Sequence, residues 1–516
     1  MFNTTFVFSI CLAIAMVASP LSAQVLRVDK NAPHTSSELG DSWSNAYFEL
    51  ADALNDILNQ GVAASEVWVA NGTYQPAYDI NGVPSGRENT FPLPPGLKLY
   101  GGFRGYRAGG PGEEQSLADR AGWFRRTRLS GDLNGDDKPN FGDVRHVVTM
   151  LSGSHPEETR LDGFVVEYSF AFDSNNPSES DGGGIRAVQV EDMVITNCTI
   201  KHNIAREGGG LFVLNGSAKI SHCLFEKNGA RDHGGGAHLT GLETSTDPED
   251  PRNSGVFNST FRNNGVNPQQ SNDMNPAAPG TGGALYIRNP LGPLHLANLV
   301  IHDSSASYGA GAFVNTRQAP SYSITIWSNT TFAHNKAQAV GPIGGPGWGT
   351  GPEGGAIYFD SGSNTHDVRN TIVWNNSAIG PSAAGIAVDL LGALPMVRFS
   401  IVQSTATASW GPENKSGPQA DPQFVSASRR NLRLAHGSPA TDQGENASIP
   451  ADWVDVDGDL NTAETLPWSR GKYEIRRSDD PNAQDHPGFP PGAPQYAPIV
   501  DIGAHERIQP ITPGGY

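Results

Sequence analysis

Cysteine is scarce in this chain, cations are outnumbered, and long apolar runs are absent beyond the first few residues. Of 516 residues only Cys11, Cys198 and Cys223 carry a thiol. Two of these lie beyond the leader described below, too few for a disulfide framework or a tetrahedral Cys site. Lys and Arg number 35 against 53 Asp and Glu, a formal net charge of −18. That balance argues against nucleic acid or an anionic membrane as partner. It suits acidic loops outside the cell, where calcium is the cation they would attract. After residue 23 no apolar stretch is long enough to cross a bilayer, so no transmembrane span is expected in the mature chain.

The one long apolar run belongs to Met1–Ala23, which reads as a secretory signal. Phe6–Val17 is almost unbroken, and Leu21-Ser22-Ala23 offers small residues for cleavage before Gln24. The run is too short for a membrane anchor. Cleavage would remove Cys11, and no Cys follows the cleavage point to carry a lipid. A secreted or periplasmic location is expected, with attachment to the outer surface as the second option.

What the chain has in abundance is repetition, with 61 Gly and 38 Pro. One motif reads Asn197-Cys-Thr-Ile-Lys-His-Asn203. It recurs as His222–Asn228, Asn258–Asn264, Asn298–Ser304, Asn329–Asn335 and Asn370–Asn376. Between these copies lie Gly182-Gly183-Gly-Ile185, Gly208-Gly209-Gly-Leu211, Gly234-Gly235-Gly-Ala237, Gly282-Gly283-Ala-Leu285, Gly309-Ala-Gly-Ala312 and Gly354-Gly355-Ala-Ile357. The glycine starts are 26, 26, 48, 27 and 45 residues apart, a base unit of 26 or 27 with two insertions. Each unit holds short β-branched or apolar segments and no 3.6-residue period.

Such a unit cannot bury its own apolar side. Coiled and stacked, each strand bonds to its equivalent about 4.8 Å away, and like residues form internal ladders. The expected fold is all-β: a right-handed parallel β-helix with an N-terminal helical cap and a loop-rich C-terminal segment. Leading Gly would permit φ > 0 at a tight corner, and the closing Asn would take the left-handed region for the same purpose. Leucine-rich repeats lack a match to their Leu-x-x-Leu-x-Leu pattern here. Propeller blades need units of about 40–50 residues.

This grammar resembles the polymorphic outer-membrane protein repeat, whose marks are Gly-Gly-Ala-(Ile/Leu/Val) and Phe-x-x-Asn. Gly282–Leu285 and Gly354–Ile357 match the first mark; Phe225–Asn228, Phe261–Asn264 and Phe332–Asn335 match the second. The resemblance covers about Gly182–Asn376 and implies a β-helix of pectin-lyase-like shape, often a surface passenger or adhesin. The family's C-terminal membrane barrel has no counterpart here.

Upstream, Trp43–Leu58 has helical spacing through Ala46, Leu50, Leu54 and Leu58 and is expected to cap the first rung. Val67–Tyr74, Gly96–Gly102, His146–Thr149 and Leu161–Val166 look like irregular early rungs. Asp421–Phe424, Gly437–Ala440 and Asp501–Glu506 resemble the C-terminal module of large bacterial secreted β-helix proteins. The expected division is a signal at 1–23, a cap with irregular rungs at 24–144, the β-helix at 145–420 and a C-terminal module at 421–516.

Three sets of residues are candidates for a site. At the corner before the glycines, Asp181, Glu207 and His233 align, with Arg206, Arg231 and Asp232 beside them and Glu353 recurring further on. Acids for a uronate or calcium and a base for proton abstraction are the groups a polysaccharide lyase uses. The plainer reading is a solvated corner. No Gly-His-Gly, paired-Asp or lyase Arg motif accompanies it, so enzyme status would rest on shape alone. Second, Asp132, Asn134, Asp136, Asn140 and Asp143 follow the twelve-residue oxygen spacing of a calcium loop, similar to a dockerin loop, with Asp137 where the turn Gly belongs. Asp455, Asp457, Asp459 and Asn461 form a looser version with Glu464. A metal-free Asx-turn loop is the alternative for both. Third, insertions at Gly265–Thr281 and Gln338–Glu353 would project from one corner, and Trp348 offers a ring for stacking on sugar. Cys198 and Cys223 share one motif position and are expected to stack as buried free thiols.

The expected role is a non-catalytic binding or adhesin-like protein presenting its repetitive face to extracellular polysaccharide or a cell-surface component. A polysaccharide lyase or hydrolase, and a structural envelope component, are the rival classes.

Overall fold

The computed structural model describes residues 24–33, 40–107, 113–120, 127–172, 177–244, 253–266, 280–338, 352–378, 386–388, 394–403, 409–450 and 501–504, apart from 363, 412 and 442. These residues form a right-handed parallel β-helix in which every coil bonds to the next through its backbone. On one face Ile185, Leu211, Ala237, Leu285, Ala312, Ile357 and Ile386 succeed one another in strict register. On a second face the inward file is Ile195, Ile220, Val256, Leu296, Trp327, Val368 and Val397. On the third it is Ile200, Phe225, Phe261, Ile301, Phe332, Val373 and Val402. Phe225, Phe261 and Phe332 are fully buried, and the first two stack with centroids 4.5 Å apart. The three files meet in one continuous core.

The early segments join the same ladders. Val25–Val28 pairs with Glu66–Ala70, which pairs with Lys98–Phe103 and then Thr159–Asp162. Helix formation in the cap is narrower than the spacing suggested. Only Leu50–Asn59 is α-helical; Trp43–Asn45 is a single 3-10 turn, and Tyr47 forms a parallel bridge to Val28. The Tyr47 amide donates to Arg27 and its carbonyl accepts from Asp29, so this stretch is drawn into the first rung before the helix starts. Leu50, Ala51, Ala53 and Leu54 of the helix then pack into the core beside Leu26 and Val28.

The corners explain the glycines and correct the role given to asparagine. The first Gly of each motif is left-handed, from φ 59° at Gly309 to 82° at Gly182. The second Gly lies under the next coil: a Cβ on Gly209 would sit 2.1 Å from the Gly229 carbonyl oxygen. The closing Asn, however, is not left-handed. That conformation belongs to the residue before it, in turn His202, Lys227, Asn263, Asp303, His334 and Asn375, and also to the residue that opens the motif. Asn203, Asn228, Asn264, Asn335 and Asn376 are buried instead. Each Nδ2 donates to a carbonyl of the preceding coil, as Asn228 does to Ile200 and Asn376 to Phe332. In Asn228, Asn264, Asn335 and Asn376 the Oδ1 accepts a backbone amide of that preceding coil, as Asn376 does from Asn335. Burial at the bend demands a side chain that satisfies both backbone polarities, which Asn does.

Residues from Ala420 to Ala440, with Ile502 and Ala504, cover the third face. The outward row there is charged in the earlier coils, with Lys201, Glu226 and Arg262 in register. It turns apolar at Ala333 and Trp374, and the neighbouring outward row supplies Val300, Ile372 and Ile401. Phe424, Leu432, Leu434, Ala440, Ile502 and Ala504 pack against these residues. An antiparallel hairpin of Phe424–Ser426 and Asn431–Leu434 carries part of this cover, and Arg430 fastens it with a two-pronged bond to Asp303. Among the described residues no helix is long and apolar enough to cross a membrane.

Candidate functional site

The corner before the glycines is built by backbone pairing. Asp181, Glu207, His233, Thr281, Tyr308 and Glu353 follow one another coil by coil. The spacing in the sequence therefore placed Asp181, Glu207, His233 and Glu353 in one file. It did not reveal Thr281 and Tyr308, which fill the same file with neutral groups. The ladder slips by one residue between Ala205 and Glu207, so Arg206 faces the two-residue bulge formed by Arg231 and Asp232.

Arg206 forks onto Asp181 at 2.6 and 2.9 Å and reaches Glu207 at 3.4 Å. Arg231 is held by Asp232 at 2.8 and 2.9 Å. His233 shares a hydrogen with the Thr281 hydroxyl at 2.6 Å and stacks on Tyr286, centroids 4.6 Å apart. A further member comes from the adjoining face: Nδ1 of buried His238 lies 3.2 Å from a Glu207 oxygen. Burial opposes ionisation of Glu207, but His238, His233 and Arg206 outweigh it and hold the carboxyl at about 2. Burial pushes His233 down to about 4 despite Glu207. It also pushes Asp181 up to about 6, against the Arg206 fork.

His238 belongs to an outward row that sequence reasoning missed. Phe212, His238, Tyr286, Phe313 and Tyr358 are in register, all at most 5% exposed. Tyr286, Phe313 and Tyr358 stack at 5.4 and 5.1 Å with planes 11° apart. The sequence carried a mark of this row: the residue directly after each glycine motif from Gly208–Leu211 onward is in turn Phe, His, Tyr, Phe and Tyr, whereas the first motif is followed by Arg186.

The loop at Asp132–Asp143 is organised by its own amides. Asp132 accepts hydrogen bonds from Gly135, Asp136 and Asp137, and Asp143 accepts one from Asn140. Asn134 and Asp136 both bond to the Asn140 side chain. Asp143 is buried, and burial with Asp132 and Asp136 nearby pushes its carboxyl up to about 6 against the pull of the Asn140 and Leu133 amides. Among the described residues no group of three or more His, Cys, Asp or Glu side chains is arranged to hold a metal ion. The looser loop at Asp455, Asp457, Asp459 and Asn461 and the Trp348 ring lie outside the described residues. Both insertions depart after equivalent strands, Gly265–Val266 and Lys336–Ala337, and return at Thr281 and Glu353 of the corner file. Cys198 and Cys223 are buried free thiols, and burial raises the Cys198 thiol well above its ordinary value.

No family model matches the chain, and no curated protein matches its sequence. Among solved structures it is similar to pectate lyase Pel9A, with 13% identity, a TM-score of 0.39, and coverage of 83% of this chain and 93% of that one. The Streptococcus pneumoniae surface protein and adhesin PfbA aligns at 11% identity and TM-score 0.23, over 71% and 81% of the two chains. The catalytic domain of a GH87 alpha-1,3-glucanase aligns at 9% and 0.22, over 77% and 68%. At these values the likenesses carry no argument about chemistry; the coil geometry itself establishes the parallel β-helix.

Proposed function

We propose that this chain is an extracellular β-helix that binds a polysaccharide or another cell-surface component along its outer face without turning it over. The observation that carries this reading is the mutual engagement of the corner's ionisable groups. Arg206 is spent on Asp181 and Glu207, Arg231 on Asp232, and Glu207 on His238. A lyase base must instead point at the proton it removes. Support for binding comes from periodicity. His202, Lys227, Asn263, His334 and Asn375 place polar side chains on a single corner, with Asp303 of the same file taken up by Arg430. Steps of about 4.8 Å present a repeated surface of the kind a repeating polymer can meet many times over.

Polymer pull-down and glycan-array binding with the chain lacking residues 1–23 test the proposal. Retention on at least one matrix is expected, and retention on none counts decisively against it. The rival lyase is tested by ultraviolet absorbance of unsaturated products from uronate polymers with calcium. Turnover that disappears in Arg231→Ala or Asp232→Ala would overturn the non-catalytic reading.

We further propose that the Asp132–Asp143 loop takes calcium as a structural ion. The burial of the Asp143 carboxylate and its closeness to Asp132 and Asp136 support that reading.

A further inference from the structure

Where the C-terminal segment meets the last coils, a cavity of about 600 Å³ opens between Trp374, Asn375, Gln403, Asp421, Gln423 and Phe424. We infer that this cavity is a binding subsite for a short neutral oligosaccharide. The inference rests on the surface-binding reading above and assigns it a specific place.

The floor is aromatic. Trp374 stands in the outward row that carries Lys201, Glu226 and Arg262 in earlier coils, and Phe424 comes from the returning hairpin. Trp374 is 8% exposed and belongs to a buried cluster with Ile372, Ile401, Ala420 and Leu434. The part of the ring left accessible, together with half-buried Phe424, gives the cavity its apolar contact, and a side chain already fixed by packing loses little entropy on binding.

The rim is polar and exposed: Asn375, Gln403, Asp421 and Gln423. Two of these side chains are already fixed. Gln403 Oε1 accepts the Asn375 amide at 2.6 Å, which turns its NH₂ group away from that contact. Asp421 Oδ1 accepts the Gln423 amide at 2.9 Å, leaving Oδ2 as an acceptor. Amides and one carboxylate supply both donors and acceptors, the complement of sugar hydroxyls. The volume falls within the roughly 300–1,000 Å³ of small-ligand sites.

Charge selects among glycans. Among the described residues that line the cavity, Asp421 is the one that carries a charge. Two cations of the surrounding chain are committed elsewhere, Arg430 to Asp303 and Lys415 to the Pro439 carbonyl and Gln443. A uronate or sulfate would bring a second negative charge beside Asp421, whereas a neutral hexose or pentose polymer brings none.

The test uses the chain without residues 1–23 and isothermal titration with xylo-, cello-, malto- and laminaripentaose, with oligogalacturonate as the acidic arm. At least one neutral pentaose should bind, and oligogalacturonate should bind at least tenfold more weakly. Gln403→Ala and Asp421→Ala, both on exposed rim positions, should each weaken the neutral ligand by fivefold or more with melting temperature unchanged. Trp374→Phe should weaken it while keeping the fold. Because Trp374 also packs inward, Trp374→Ala is not relied upon. Binding that is equal in the wild type and both rim variants would place the ligand elsewhere, overturning the subsite but not the surface-binding reading. Retention on acidic or insoluble polymers with no pentaose binding has the same meaning. Absence of binding to every polymer and every pentaose overturns both.

Discussion

The side-chain amide of Asn228 donates to the side-chain oxygen of Asn264 on the next coil at 3.2 Å, and that same oxygen accepts the Asn228 backbone amide at 3.1 Å. Both residues are at most 2% exposed. Asn228→Ala should therefore leave buried backbone groups unsatisfied on the preceding coil and cost about 2–4 kcal/mol. Asn228→Asp should be comparably damaging, since a carboxylate cannot donate to the Ile200 carbonyl. Asn263→Ala, one residue from the ladder, should cost about 1 kcal/mol, the strain of Ala at a left-handed φ of 54°. Urea melts followed by circular dichroism make the comparison, and an unperturbed Asn228→Ala would show that the ladder is incidental.

Gly209 has no room above it. A methyl there would meet the carbonyl oxygens of Gly229 and Gly235 at 2.1 and 2.7 Å, both backbone. Gly209→Ala should push adjacent coils apart and lower stability by about 2–3 kcal/mol or more. Gly265→Ala provides the contrast, since its methyl first meets the Ser305 hydroxyl at 3.0 Å. Similar melting temperatures for the two variants would count against close coil contact.

Acid should weaken the fold through its buried histidines. Burial pushes His366 down to about 4, and the same cause acts on His295 and, against the pull of Glu207, on His233. His366 Nδ1 accepts the Thr325 amide at 3.0 Å, a bond that only a ring unprotonated at that nitrogen can make. With folded values below the unfolded 6.5, the stabilisation is complete above that pH and is lost as pH falls towards 4. Each site contributes on the order of 1 kcal/mol or more. Thermal melts between pH 7 and pH 4 should show the decline, and His366→Ala should flatten it while lowering the pH 7 melting temperature. A flat profile in the wild type would refute the assignment.

For the Asp132–Asp143 loop, millimolar calcium should raise the melting temperature by a few degrees, and chelator should reverse the gain. Asp143→Asn should abolish the response. The sign is distinctive: a cation that binds Asp143 draws its carboxyl down from about 6, so calcium should stabilise more at pH 7 than at pH 5. No calcium response at either pH would leave the loop as a self-bonded Asx structure.

The coil was legible because backbone constraints leave residue-specific marks. Gly182, Gly208 and Gly234 are required by a left-handed φ, and Phe225, Phe261 and Phe332 by a file that faces inward. Spacing also found the Asp181–Glu207–His233 file, since stacked coils turn equal spacing into adjacency. Cross-face partners were hidden. His238 reaches Glu207 from a different strand, and nothing in its Gly-Gly-Gly-Ala-His context announces a carboxylate. The left-handed corner residues escaped because His, Lys, Asn and Asp all occupy that position, whereas the Asn beside them, replaced once by Ser304, drew attention for a different reason. Trp374 did carry a signal, as the single Trp in a row otherwise polar or small. Its meaning depended on Phe424 arriving from the returning hairpin, far along the chain.

The coils that flank residues 267–279 and residues 339–351 keep a common register with their neighbours, strand Gly265–Val266 with Ser305–Ala306 and Lys336–Ala337, and Thr281 with Tyr308 and Glu353. Sequence of variable length can thus be accepted at that edge while the stacked framework keeps its frame. The molecule has a built-in port for grafting: foreign loops placed at this one position should diversify what the surface offers while leaving the scaffold's folding problem unaltered.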